Sequence, residues 1–86
     1  MVFQLFTKST IELNGLATSD DIIILIQDGV YAGTQLAHLY TNVYVLDNDL
    51  RASGMSMSDY PASISIINED EWVALCAKHA PVVSLS

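Results

Sequence analysis

The sequence predicts an α/β fold, a mostly parallel sheet with helices on its faces. Three observations carry this. Short β-branched or aromatic runs alternate along the 86 residues with stretches whose apolar residues recur at helical spacing. One run, Ile22 to Ile26, is apolar without a break, which suits a strand covered on both faces. Turn and capping residues stand at the junctions, among them Asp20-Asp21, Gly54, Asn68 and Pro81.

The first strand is expected over 2–6, "VFQLF". Ser9 precedes Glu12 at capping-box spacing, and Ile11, Leu13, Leu16 and Ala17 then mark a short helix that ends near Thr18-Ser19-Asp20. "DIIILI", 21–26, is the second strand. After Gly29, the residues Val30, Gly33, Leu36, Ala37 and Tyr40 fall three and four apart and predict a helix over 29–39. "NVYVL", 42–46, is the third strand, and Asp47 is positioned to cap a two-turn helix that Gly54 ends. "MSMSDYPAS", 55–63, reads as a loop, followed by a fourth strand over 64–67. Asn68 with Glu71 is a second capping signal, and Trp72, Val73, Cys76, His79 and Ala80 recur at helical spacing until Pro81. "VVSL", 82–85, adds a short edge strand.

This order implies right-handed crossovers between parallel strands. With helices so short, the expected architecture is a compact flavodoxin-like three-layer sandwich with a mostly parallel sheet of four or five strands, residues 1–86 making one domain. Ligands of such sheets sit beyond the carboxyl ends of the strands. Thr7-Lys8, Gln27-Asp28-Gly29, Asp47-Asn48-Asp49 and Asn68-Glu69 fall on that rim.

Composition narrows the function. Hydrophobic residues make up 51% of a small chain, and a surplus of that kind finds its outlet in an interface with other subunits. Net charge is −7, with ten acids against Lys8, Arg51 and Lys78. Three cations neutralise few phosphates, which argues against direct nucleic-acid binding and against an anionic membrane surface. Cys76 is the one cysteine, so an internal disulfide is excluded and a reducing compartment fits. "MVFQLFTKST" lacks a charged region ahead of a long apolar core and does not read as a signal peptide, and no apolar run is long enough to span a bilayer. The expected location is the cytoplasm.

Candidate chemistry is sparse. Asp28 has the character of a general base or metal ligand, but the simpler reading is that it caps the next helix while Gly29 permits a tight turn. Neither phosphate-binding glycine pattern occurs, and the rim is acidic, so no nucleotide cofactor is expected. Asp28, Asp47, Asp49 and Glu69 offer oxygen ligands for Mg²⁺, yet the lysine that phosphoacceptor chemistry needs on a late strand is missing. Cys76 is the candidate nucleophile or persulfide carrier. Its place mid-to-late in a helix disfavours a thiolate, so a buried core cysteine is preferred. Cys76 and His79 give a metal two ligands without a clear third, and His38 is on another helix. No G-x-S-x-G context surrounds any serine. Met55, Met57 and Tyr60, in a loop expected to be exposed, form a candidate contact surface, with folding of the loop onto its own domain as the alternative.

"LIQDGVYA" (25–32), "VYVLDNDLRASG" (43–54) and "ISIINEDEWVALCAKHAPV" (64–82), with the Ser-x-x-Glu helix start, together resemble the TusB/DsrH family of DsrE-like sulfur-relay proteins. The matching positions are Gln27, Asp28, Gly29 and Val30; Tyr44, Leu46, Asp49, Leu50, Ala52 and Gly54; and Lys78 and His79. The resemblance implies a subunit that assembles with two related small proteins, TusC-like and TusD-like, and relays persulfide sulfur toward 2-thiouridine at the tRNA wobble position. The equivalent in sulfur-oxidising bacteria is the DsrEFH complex. Some DsrH-like chains carry an early cysteine, whereas the comparable "LNGLATSDD" has none, and Cys76 matches no sulfur-carrying motif of the family. The resemblance therefore implies a docking subunit, not a catalytic one. Three alternatives stand beside it: a self-sufficient homo-oligomeric thiol carrier using Cys76, a subunit of a dissimilatory sulfur-oxidation relay, and a small ligand- or metal-binding domain.

Overall fold

The computed structural model describes residues 1–86, apart from the Met57 side chain. Five strands make one sheet: β1 (Val2–Leu5), β2 (Ile22–Leu25), β3 (Asn42–Leu46), β4 (Ser65–Ile67) and β5 (Val82–Leu85). Their order is β4-β3-β2-β1-β5, and every neighbouring pair is parallel. The helices are α1 (Ile11–Leu16), α2 (Gly33–Leu36), α3 (Asp47–Ala52) and α4 (Glu69–Lys78). The result is the expected flavodoxin-like α/β sandwich, with a sheet that is parallel throughout.

The register explains the small size. Val2 stands beside Ile22 and Ile22 beside Asn42, twenty residues apart each time. Such a unit holds a strand, two turns and very little helix. Alternation along the strands divides the core into two layers. Phe3, Leu5, Ile23, Leu25, Val43 and Val45 point to the face that packs Leu13 of α1, Leu36 of α2 and Leu50 of α3. Val2, Ile22, Ile24, Leu46 and Ile67 point to the other face, where α4 supplies Trp72, Leu75 and Cys76. The unbroken run Ile22–Ile26 is therefore buried on both sides, as the continuous apolar pattern requires.

Several local expectations are corrected. The segment predicted as a helix over 29–39 is a 3₁₀ stretch, Gln27–Ala32, followed by the single turn of α2. Two glycines and the weak helix formers Val30, Tyr31 and Thr34 lower its α propensity, and tight contacts at both glycines fix the tighter winding. The Ser9–Glu12 capping box does not form. Helix α1 starts after Thr10 without a side-chain cap, and the Ser9 N–H instead donates to Thr7 Oγ1 at 3.3 Å. Ile11 and Leu16 face solvent, leaving Leu13 as the buried anchor of α1. Asp47 is the first helical residue of α3, not its cap, and pairs with Arg51 one turn on at 3.1 Å. Gly54, at φ +81°, ends α3 in the left-handed region that favours glycine. The Asn68–Glu71 capping box is present in full: the Glu71 N–H donates to Asn68 Oδ1 at 2.8 Å and the Asn68 N–H to Glu71 Oε1 at 3.0 Å. Within α4, however, Val73 is turned to solvent and Ala80 beyond it is exposed.

The loop before β4 is not an exposed contact surface at Tyr60. That ring is buried against Gly33, its hydroxyl donates to the Val30 carbonyl, and Met55 packs half-buried against the same core. The Met57 side chain lies outside the described residues. A polar loop sequence hid an aromatic anchor that fills the space a missing Cβ leaves at Gly33.

Candidate functional site at the carboxyl rim

Parallel strands deliver their following loops to one edge, so residues far apart in sequence meet there. A hollow of about 220 Å³ opens between the loop after β2 and helix α3, lined by Gln27, Asp28, Tyr31, Asp49, Ala52 and Ser53. Its floor is built by backbone demands. Gln27 takes φ +53°, a left-handed conformation unusual for a residue with a Cβ. The turned Gln27 N–H donates to Asp49 Oδ2 at 2.8 Å, and Tyr31 Oη donates to the Ser53 carbonyl at 3.1 Å. These two bonds clip the 3₁₀ stretch to α3. Next to Gln27, Gly29 sits where a Cβ would lie 2.0 Å from the Leu5 carbonyl oxygen. Gly29 is thus required for close approach to β1, and within the tight turn expected there the left-handed residue is Gln27. The capping role expected of Asp28 belongs to Asp49, reaching across from the neighbouring βα unit.

Three of the four rim carboxylates are engaged in protein contacts. Asp47 pairs with Arg51, Asp49 accepts from Gln27, and Glu69 Oε1 accepts from Asn48 Nδ2 at 3.1 Å. Among the described residues, no three His, Cys, Asp or Glu side chains gather as metal ligands would. Asp28 faces solvent beside the hollow.

Cys76, Lys78 and His79 stand elsewhere. Lys78 ends α4, and His79 caps it with its N–H donating to the Leu75 carbonyl, at the amino edge of the sheet. Gln27, Asp28, Gly29 and Asp49 therefore meet on the rim, Gly54 lies just beyond the end of α3, and Lys78 and His79 are at the opposite end of the molecule. Cys76 is half-buried on the sheet side of α4, where Gln4 Nε2 donates weakly to Sγ at 3.9 Å. Burial pushes the thiol up, and the Trp72 indole N–H works the other way. That indole falls short of hydrogen-bond geometry to Sγ, since among the described residues Nε1 is buried without a partner, so burial governs. A thiol raised in this way is the reverse of an activated nucleophile. Sequence reasoning did not single out Tyr31, Ser53 or Gln4. The register gives the missing signal: Leu25 pairs with Val45, which sets the residues following β2 level with the start of α3.

Among the described residues, no helix is long and apolar enough to cross a membrane. Comparison with curated proteins returned no match to this chain. Comparison with protein families matched residues 6–82 to the family described as DsrH like protein, a span that runs from just after β1 to the first residue of β5 and takes in every rim residue named above. The chain belongs to the DsrH-like family, whose members are components of sulfur relays.

Proposed function

We propose that this chain is a non-catalytic docking subunit of a heteromeric relay that passes persulfide sulfur toward 2-thiouridine at the tRNA wobble position. Its partners in this reading are two related DsrE-like small proteins, TusC-like and TusD-like, and it works in the cytoplasm as one DsrH/TusB-like domain. The observation that supports a docking role is the state of its single thiol. Cys76 is half-buried under Gln4 and Trp72 and pushed up by burial, so it is poorly suited to attack a persulfide at neutral pH. The acidic surface, at net charge −7, suits a subunit that leaves tRNA to others.

The test is affinity purification of the tagged chain from its native host, with intact mass of the complex. Two small DsrE-like proteins in equal amounts are expected, and Cys76→Ser is expected to leave sulfur transfer by that complex intact. Recovery of the chain as a homo-oligomer, with transfer lost in Cys76→Ser, would establish the self-sufficient carrier instead. Cells lacking the chain are expected to lose wobble 2-thiouridine, and unchanged tRNA thiolation would reject that pathway.

A further inference from the structure

The two faces of the sheet are covered unequally. Three helices close one face over a large buried cluster. A single helix, α4, lies on the other, and none of its residues is buried. Beside it an open hollow of about 470 Å³ is lined by Gln4, Trp72, Val73, Cys76 and Ala77. Val73 is 65% exposed at its edge, a large apolar side chain held out to solvent. One turn before Val73 on the same side of the helix stands Asp70, flanked by Glu69 and Glu71, all three exposed.

We infer that this α4 face is the surface on which a partner subunit docks, and that the partner presents an apolar ridge bordered by lysine or arginine. The inference rests on the sulfur-relay reading and gives its interface a location. Charge selects the occupant. A second copy of this chain, laid antiparallel on α4, would set Glu69, Asp70 and Glu71 against one lysine, Lys78, within a pair of chains carrying −7 each. A basic partner seats the same apolar ridge and neutralises the acidic border. Docking there covers Cys76, which makes the thiol a reporter of the contact.

The complex purified from the native host is compared for wild type, Val73→Asp and, on the opposite face, Ile11→Asp; Ile11 is 81% exposed. Val73→Asp is expected to lower recovery of the partner more than tenfold, with Ile11→Asp unchanged. Labelling of the Cys76 peptide by N-ethylmaleimide is expected to slow at least tenfold in the complex relative to the chain alone. A complex that forms normally, survives Val73→Asp and leaves Cys76 labelling unprotected overturns this interface while the relay reading stands. Recovery of further copies of this chain as the sole partner overturns the basic occupant. Absence of any complex overturns both readings.

Discussion

At residue scale, Gly29, Gln27 and Tyr60 show how backbone space decides identity. Gly29→Ala drives a Cβ into the Leu5 carbonyl, and the loss should reach about 3 kcal/mol, the upper end of overpacking costs, read as a lower urea midpoint. Gln27→Gly removes a left-handed strain and should be neutral to stabilising by about 0.5–1 kcal/mol; a clear loss would show that the Gln27 side chain contributes something its backbone does not. Burial pushes the Tyr60 phenol up to about 12. The fold therefore favours the neutral form. Its contribution is complete below pH 10 and disappears as pH rises from about 10 through about 12. Tyr60→Phe should cost about 1 kcal/mol at pH 8 by removing one of the two hydrogen bonds that the Val30 carbonyl accepts, the other coming from the Gly33 N–H, and should flatten the alkaline loss. Equal slopes above pH 10 in urea melts of both proteins would contradict this. That Gly29 and Asp28 mark a turn was legible in the sequence. That the left-handed residue is Gln27, and its cap Asp49, was not, because both depend on a neighbouring chain segment.

At the scale of elements, the capping chemistry of α4 was legible and that of α1 was not. Asn68 and Glu71 satisfy each other's backbone N–H groups, so Asn68→Ala should lower stability by about 1 kcal/mol and speed amide exchange in the first turn of α4 before that of the sheet. Simultaneous exchange of β2 and α4 would mean that the helix does not loosen separately. Ser9 carries the same spacing to Glu12 but sits one residue too early, since the chain turns into α1 only after Thr10. The helix expected over 29–39 failed for a different reason. Its apolar periodicity is real, and Val30, Gly33, Leu36 and Tyr40 are buried, but close packing of Gly29 on β1 and Gly33 on Tyr60 winds the segment as 3₁₀. Periodicity reports which face is buried more reliably than it reports the pitch that buries it.

For the whole molecule, charge and topology act separately. Ten acids and three cations leave a self-repelling surface, with one cation already paired at Arg51–Asp47. Raising NaCl from 10 mM to 0.5 M should therefore raise the melting temperature by a few degrees; a fall would show that specific ion pairs outweigh the repulsion. By itself the sequence determined the α/β class, the strand positions, the doubly buried β2 and a family pattern spanning most of the chain. These follow from local rules: alternation, capping and continuous apolar runs all act within a few residues. Only the tertiary structure decided that β5 pairs with β1, that Asp49 caps the loop after β2, that Tyr60 is interior, and that α4 alone covers one face with Val73 held out beside Cys76. The contacts of β5 with β1, of Asp49 with Gln27 and of Tyr60 with Val30 each join residues 20 or more positions apart. Which such residues meet is set by the order and register of the parallel strands, and no local pattern records it.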